Sequence, residues 1–501
     1  MSTPDIDVVS PATGKAFARV PSHDATAVEA AIVRARAAQP AWAALPLAER
    51  RRALRRLSHR IATDPEVVRT IMRESGKPRF EAEVIEVLYT CEMTRFATGR
   101  AGRRALRDEV HSPLLMATKR ARVVRHALGV VGIIGPWNWP LLNNYGDAIA
   151  PLAMGNAVVL KPSPITPMTS LLVERLWREE GLPKDVFQVV VGGAETGEAL
   201  VSGVDMVFFT GSQATGRLVA QAAGARLIPC VLELGGNSPM IVLADADLER
   251  AARAAVWSAF AHSGQVCIRT ERLIVEASIH DQLVQRCVEL MAELRQGHDD
   301  PASDREIDVG AITFSPQMDR ADRQIAEALG RGARLAAGGA RRSDLGPGFF
   351  APTLLVGVTP DMEVSRHETF APVLPVLRAA DAEEALWLAN DSAHGLSASI
   401  WSGDEPKARA LARRLEAGTV CVNDVLVNYF CVEAPLGGIK ASGLGIRHGV
   451  EGLRQFCRIE TIVDDRFLAR GLSGLIARQL QFPYSRKVLR LVDWLLPRLY
   501  R

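Results

Sequence analysis

Three polar residues sit where their chemistry would matter. Cys267 lies in SGQVCIRTE, Glu233 in VLELGGNSP and Asn138 in PWNWP. A cysteine thiolate attacks electrophilic carbon once a base or a positive neighbour has helped it form. Free cysteine is also among the most buried residue types and usually packs without reacting, so Cys267 alone does not choose between nucleophile and core. Glu233 stands inside an apolar run before a Gly pair, where desolvation raises a carboxyl toward neutrality and suits a general base. A structural carboxylate bonded to backbone would read the same way. Asn138, between two tryptophans and near two prolines, is placed to aim an amide at an oxyanion, or is a turn residue. FTGSQATG (209–216) closes an apolar run and opens a helix; small residues there let backbone N–H groups approach a pyrophosphate. GLGIRHG at 443–449 imitates a dinucleotide glycine motif, but it follows a loop with the wrong spacing.

The elements that must position these residues show in the periodicity. ATAVEAAIVRARAAQPAW, LAERRRALRRLSHRIA and PEVVRTIMRESG repeat apolar residues at helical spacing, and the Arg runs of the second are expected to form a solvated basic face. From Gly129 the texture changes. GVVGIIG, NAVVLKPS, VFQVVVGG and VDMVFFTGS are short apolar runs closed by Gly or Ser, with helical segments such as MTSLLVERLWREEG among them. A second alternation follows Cys267: RLIVEAS, IHDQLVQRCVELMAELRQG, APTLLVGV, DAEEALWLANDS, LSASIWSG and GTVCVND. Alternating strands and helices indicate parallel sheets with right-handed crossovers, so two tandem α/β units are expected.

Bulk properties narrow the class. With 501 residues, 48% hydrophobic and 23% charged, the chain needs two or three compact units. Its seven Cys are scattered without a CxxC pair, which suggests neither a disulfide framework nor a zinc site. MSTPDIDVVSPATGK lacks a basic segment followed by an apolar run, and no apolar stretch approaches a membrane span; no signal peptide is expected, and the protein reads as cytoplasmic. The net charge of +3 conceals +6 between Arg470 and Arg501 and −3 before it, so no nucleic-acid surface is implied.

Taken together, PWNWP, NAVVLKPS, FTGSQATG, LELGGNSP, SGQVC, HETFAPV and APLGGIKASG, in that order, resemble the aldehyde dehydrogenase superfamily from about residue 8 to 462. The resemblance implies two Rossmann-like α/β domains with a β-arm for oligomerisation: a cofactor-binding domain (1–108 and 128–235), a catalytic domain (236–456), the arm (109–127 and 457–466) and a basic amphipathic tail (467–501). It implies oxidation of an aldehyde to an acid with NAD or NADP and no metal. Cys267 would form a thiohemiacetal and then a thioester, Asn138 and the Cys267 N–H would hold the oxyanion, and Glu233 would activate water. Cofactor contacts would come from Ile134, Pro136, Trp137, Lys161, Ser163, Pro164, Gly193, Gly197, Phe209, Thr210, Gly211, Ser212, Leu234, Gly235, Glu368 and Phe370. Trp139, Leu142, Phe430 and Leu436 would line the substrate tunnel, bordered by VLVNYFCVEAPL (425–436), with Asn143 and Gly146 widening it. A homodimer or dimer of dimers is implied.

Three departures stand out. Pro164 replaces the Glu that grips the ribose in many NAD-preferring relatives. Asp147 and Arg447 exchange the usual Lys and Glu and are expected to pair. Arg269 occupies a place where small residues are common. A medium- or long-chain or other apolar aldehyde is the expected substrate; the alternative is a succinate-semialdehyde type in which Arg269 or Arg447 holds the distal carboxylate. CoA-acylating and catalytically silent homologues are further rivals. In the tail, Val488, Leu491, Val492, Leu495 and Leu499 recur at helical spacing beside Arg486, Lys487 and Arg490, with Pro497 expected to end the helix. Such a helix would dock on a partner subunit or touch the inner face of a membrane.

Overall fold

The computed structural model describes residues 4–113, 116–299, 306–466 and 470–499. They fall into two units, Met1–Ala105 with Ala127–Phe456, and Leu106–His126 with Cys457–Arg501.

In the first unit the three leading helices are Ala25–Ala44, Leu47–Thr63 and Pro65–Ser75. Asp24 caps the first through the Ala27 N–H at 2.8 Å. Pro65 opens the third at a position where its missing N–H costs nothing, and Gly76 closes it with φ +73°. The basic face of the second is exposed at Arg52, Arg55 and Arg56, but Arg50 departs from the expectation. It is buried and donates to the carbonyls of Ala43 (3.0 Å), Leu45 (2.8 Å) and Ala153 (3.1 Å), capping the end of the preceding helix.

A six-stranded sheet follows, in the order Gly443–Leu444, Cys230–Glu233, Met206–Thr210, Val130–Ile134, Ala157–Lys161, Phe187–Val189. All neighbours are parallel except the first pair. That edge comes from GLGIRHG, the segment that imitates a dinucleotide glycine motif: Gly443 pairs with Glu233, although 210 positions separate them. The register puts Ile134 beside Lys161 and Phe209, and Thr210 beside Glu233, so these residues share the carboxyl ends of the strands. Ligands bind open α/β sheets at that edge. A seven-stranded sheet runs Arg334–Ala337, Thr353–Val356, Val373–Ala379, Arg272–Glu276, Pro239–Val242, Ser397–Trp401, Thr419–Val422, antiparallel at its first pair alone.

The second unit contains a three-stranded sheet in the order Cys457–Asp465, Lys119–Ala127, Glu109–His111. Arg120 meets Asp464 at 2.7 Å and Lys119 meets Asp465 at 2.6 Å. Ile459, Ile462 and Val463 stay exposed on the outer strand. Two helices follow, Arg470–Leu480 and Arg486–Leu499; the expected start of the tail at 467 lies outside the described residues. Pro497 does not end the second helix, contrary to expectation. It stands in the last turn, which runs on to Leu499; its missing N–H leaves the Asp493 carbonyl without that partner, and the Arg498 guanidinium donates to the neighbouring Trp494 carbonyl at 2.6 Å. Among the described residues no helix is long and apolar enough to cross a membrane.

Candidate active site

Cys267 lies in an irregular loop between the short helix Ala261–Gly264 and the strand Arg272–Glu276. The loop is wound tightly. His262 and Ser263 both hold left-handed conformations, φ +47° and +54°, which residues with a Cβ rarely adopt. Their groups are tied down: Glu81 accepts the His262 N–H at 2.7 Å, and Ser263 Oγ donates to the Gly310 carbonyl at 2.8 Å. Asn138 is buried, and its Nδ2 donates to the Gln265 carbonyl at 2.8 Å, two residues before Cys267. The Gly pair after Glu233 serves close approach on two sides. A Cβ on Gly236 would collide with the Cys267 carbonyl oxygen, and one on Gly235 with the Glu368 carboxylate. The structure thus brings Cys267, Asn138 and the Glu233–Gly236 segment together.

Electrostatics at the site are governed by burial. It pushes the Glu233 carboxyl up to about 7, against the pull of the Arg447 guanidinium and with a push from Asp147. It pushes the Cys267 thiol up to about 12, again opposed by Arg447 and assisted by the Glu233 and Glu368 charges. Arg447 is the hub. It lies 3.4 Å from Asp147 and 3.5 Å from Glu233, and donates to Tyr429 Oη (2.6 Å), Asn143 Oδ1 (3.1 Å) and Thr210 Oγ1 (3.2 Å). The exchanged charges therefore do pair.

Cys267 lines an apolar cavity with Ile85, Trp139, Leu142, Asn143, Trp257, Ala261, Val266, Ile268, Leu426, Tyr429 and Phe430. Of the residues expected at a substrate tunnel, Trp139, Leu142, Asn143 and Phe430 are among those lining this cavity. Leu436 does not line it. It is buried and exchanges backbone hydrogen bonds with Arg447 at 2.8 and 2.6 Å, so its part is to seat that arginine. Gly146 also lies elsewhere, where a Cβ would touch Met93 Sδ at 3.4 Å. Sequence reading missed Ile85 and Trp257, which arrive from helices with no local signal; adjacency to Cys267 was the available signal for Val266 and Ile268. Arg269 cannot meet a substrate carboxylate. It is fully buried, pairs with Glu271 at 2.5 Å and donates to the Val373 and Thr270 carbonyls, each at 3.1 Å.

The residues expected to hold a dinucleotide gather at the carboxyl edge of the six-stranded sheet. Lys161 is buried with the Pro162 carbonyl at 3.3 Å as its hydrogen-bond partner, and burial lowers its ammonium to about 8. That is an under-served cation, ready for ligand oxygens. Ser163, beside it, accepts the Ile165 N–H at 3.3 Å, and Pro164 is partly exposed. Ser212 caps the helix Gln213–Ala225 through the Thr215 N–H at 3.3 Å. Phe209 and Leu234 belong to the core and pack beneath Gly211 and Gly216, where Cβ atoms would meet them at 2.6 Å. Gly193 caps a second helix, Ala194–Gly203, with open space where its Cβ would stand, and Gly197 faces Lys161 and Ile134. Pro136 accepts the Asn144 amide at 3.1 Å. Trp137 packs edge-on against Phe370, whose φ is +55°. Glu368, raised to about 8 by burial and the Glu271 charge, accepts the Gly236 N–H at 3.0 Å. Two helix N-termini, an under-bonded lysine and a hydrogen-bonding carboxyl fit a dinucleotide with its ribose and pyrophosphate.

A model of the aldehyde dehydrogenase family matches residues 1–462. The chain is 37% identical over 488 residues to "Putative succinate-semialdehyde dehydrogenase [NADP(+)]" of Mycolicibacterium smegmatis, covering 96% of this chain and 93% of that one. It is also 37% identical over 454 residues to "4,4'-diapolycopene aldehyde oxidase" of Methylomonas sp, covering 90% and 84%. The crystal structure of a Mycobacterium tuberculosis aldehyde dehydrogenase complexed with NAD+ superposes with a TM-score of 0.87 at 33% identity, covering 92% of this chain and 95% of that one. The chain belongs to the aldehyde dehydrogenase family. It is an NAD(P)-dependent oxidoreductase that acts on aldehydes.

Proposed function

We propose that this enzyme oxidises apolar aldehydes of medium or long chain, with Cys267 as nucleophile, Asn138 as oxyanion donor and Glu233 as base. The observation that carries the substrate class is the cavity at Cys267: among the described residues that line it, none is charged. A groove sharing Ile85, Trp257 and Ala261 with that cavity is lined by Phe80, Val256, Phe260, Leu290 and Leu294 together with Glu81, Glu293, Asp308, Arg253 and Arg295. The arginines of that groove are already engaged, Arg253 with Glu249 at 2.6 Å and Arg295 with Asp308 at 2.7 Å. A distal carboxylate would there meet Glu293 and Asp308 with both arginines already paired, while each buried CH2 contributes about 0.8 kcal/mol.

The chain's own groups act in sequence. Ionised Glu233 draws the proton from Cys267 Sγ as the sulfur bonds to the carbonyl carbon. The Asn138 amide and the Cys267 N–H hold the oxygen that becomes negative. The chemistry that a bound oxidised nicotinamide would supply is acceptance of the hydride from this carbon. Glu233 gives the thiol proton up to solvent and, ionised again, takes a proton from the water that attacks the thioester; the C–S bond breaks, the acid departs, and Sγ is left as the thiolate. Lys161 and Ser163 would hold the adenosine ribose, Ser212 and the helix beginning at Gln213 the pyrophosphate, and Glu368 with Phe370 the nicotinamide end. Pro164 leaves the ribose edge without a repelling carboxylate, so both NAD and NADP are accepted.

We further propose a cytoplasmic homo-oligomer joined through the outer strand Cys457–Asp465, whose exposed Ile459 and Val463 form an edge that invites pairing. The tail helix exposes Leu491, Val492 and Leu496 beside Arg486, Lys487 and Arg490, a face suited to a partner subunit or an anionic lipid surface. The decisive experiment is kcat/KM over a series from acetaldehyde to hexadecanal, with succinate semialdehyde included and both cofactors. A rise with chain length of at least about threefold per added pair of CH2 groups up to decanal is expected, well below the limit of full burial. A preference for succinate semialdehyde would refute the substrate class.

A further inference from the structure

Two loops must keep a fixed spacing for this chemistry: the one bearing Asn138 and the one bearing Cys267. Both are held by one short helix. Glu81–Leu88 has π geometry, in which hydrogen bonds join residues five apart and so bring Glu81 and Glu86 onto one face. Glu86 is fully buried, and its Oε2 accepts the N–H groups of Leu141 (2.7 Å) and Leu142 (3.1 Å). Its other oxygen pairs with Lys77, also buried. Lys77 Nζ in turn donates to the Asn138 carbonyl at 2.8 Å and lies 3.7 Å above the Trp139 ring. Among the described residues, every side-chain hydrogen bond of this ion pair outside itself goes to residues 138–142. On the same face, Glu81 accepts the His262 N–H at 2.7 Å and so holds the left-handed turn that leads to Cys267.

We propose that the π-helix is a spacer for the reaction centre: Lys77 and Glu86 fix the Asn138 loop, Glu81 fixes the Cys267 loop, and their shared backbone sets the distance between amide and sulfur. The three are positioning residues that act through Asn138 and Cys267. A buried ion pair is weak as a source of stability, because desolvation offsets its attraction, and apolar residues of equal volume would pack as well. What such residues cannot do is fix the register of a loop through three directed hydrogen bonds. The inference rests on the roles given above to Asn138 and Cys267.

A double-mutant cycle tests it. Lys77→Met/Glu86→Gln removes both charges and leaves no lone buried ion. Asn138→Ala should lower kcat about 10²–10³-fold, the cost of one oxyanion donor. The paired variant should lower kcat about 10- to 100-fold, since misplacing a reacting group by about 1 Å costs on that order, while cofactor Kd stays within about twofold. Combined with Asn138→Ala, the pair should cost less than about threefold more, because its effect runs through an amide already removed. Multiplying losses, or an unchanged kcat in the paired variant, would overturn the spacer. An unchanged kcat in Asn138→Ala would overturn the reading of the site itself, which is a different result. Should the paired variant fail to fold, Lys77→Gln/Glu86→Gln also removes both charges while keeping a donor for the Asn138 carbonyl and an acceptor for Leu141 and Leu142. It enters the same cycle with a loss of about fivefold expected and the same absence of additivity.

Discussion

Arg447 should set the pH range in which the enzyme works. Its guanidinium lies 3.5 Å from Glu233 and 3.4 Å from Asp147, and all three side chains are buried. At an effective dielectric near 20, unit charges 3.5 Å apart attract by about 5 kcal/mol. Sharing between two carboxylates reduces what Glu233 receives, and about half that figure corresponds to roughly 2 pKa units. Glu233 begins at about 7, so Arg447→Met should move it to about 9. At pH 7.5 the ionised fraction would fall from about three-quarters to about 3%, a loss near 25-fold in any step needing the base. Asp147, at about 6 with Arg447 present, would also rise and become protonated near neutrality, which limits the shift. Asp147→Asn removes a charge that raises Glu233 and leaves Arg447 undivided, so it should move the profile the other way, below about 7. The assay is kcat from pH 5.5 to 10 in the three proteins, with a pre-steady-state burst of reduced cofactor confirming that deacylation is slow. Profiles shifting in the same direction in both variants, or in neither, would refute this electrostatic account.

Glu233→Gln should slow both the first-turnover burst of reduced cofactor and the steady-state rate, because the same carboxylate serves thioester formation and hydrolysis; unchanged turnover would remove Glu233 as the base. Cys267→Ser should bind cofactor with unchanged affinity and lose turnover, because a hydroxyl at neutral pH is a far poorer nucleophile than a thiolate. Pro164→Glu should shift the ratio of kcat/KM values toward NAD by at least about fivefold, since a carboxylate near a 2′-phosphate repels it by about 1 kcal/mol or more; an equal ratio in both proteins would contradict the argument. Deleting residues 470–501 should change either the mass by light scattering or co-sedimentation with anionic vesicles, and a change in neither would leave the tail without the proposed contacts.

What the sequence by itself determined was local. Helices with a period of 3.6 and short apolar strand runs could be read because each depends on neighbours a few residues away; Ala25–Ala44, Val130–Ile134 and Ser397–Trp401 lie where the pattern places them. The residues of the motifs, Asn138, Glu233 and Cys267, were also visible there, through the company of segments in a fixed order. Arg269 and Arg447 looked alike on paper as cations near a site. Tertiary structure alone separated them: Arg269 is locked to Glu271 and backbone carbonyls, while Arg447 reaches Asp147 across 300 positions. Leu436 looked like a wall of the tunnel because it is apolar, yet its backbone pairs with Arg447. Lys77, Glu81 and Glu86 carry no spacing that announces a role, since hydrogen bonds between distant loops leave no period in the chain. GLGIRHG illustrates the same limit, for its edge strand exists because Gly443 finds Glu233 in space. Periodicity records what a segment buries; the groups it meets are chosen by the folding of the rest of the chain.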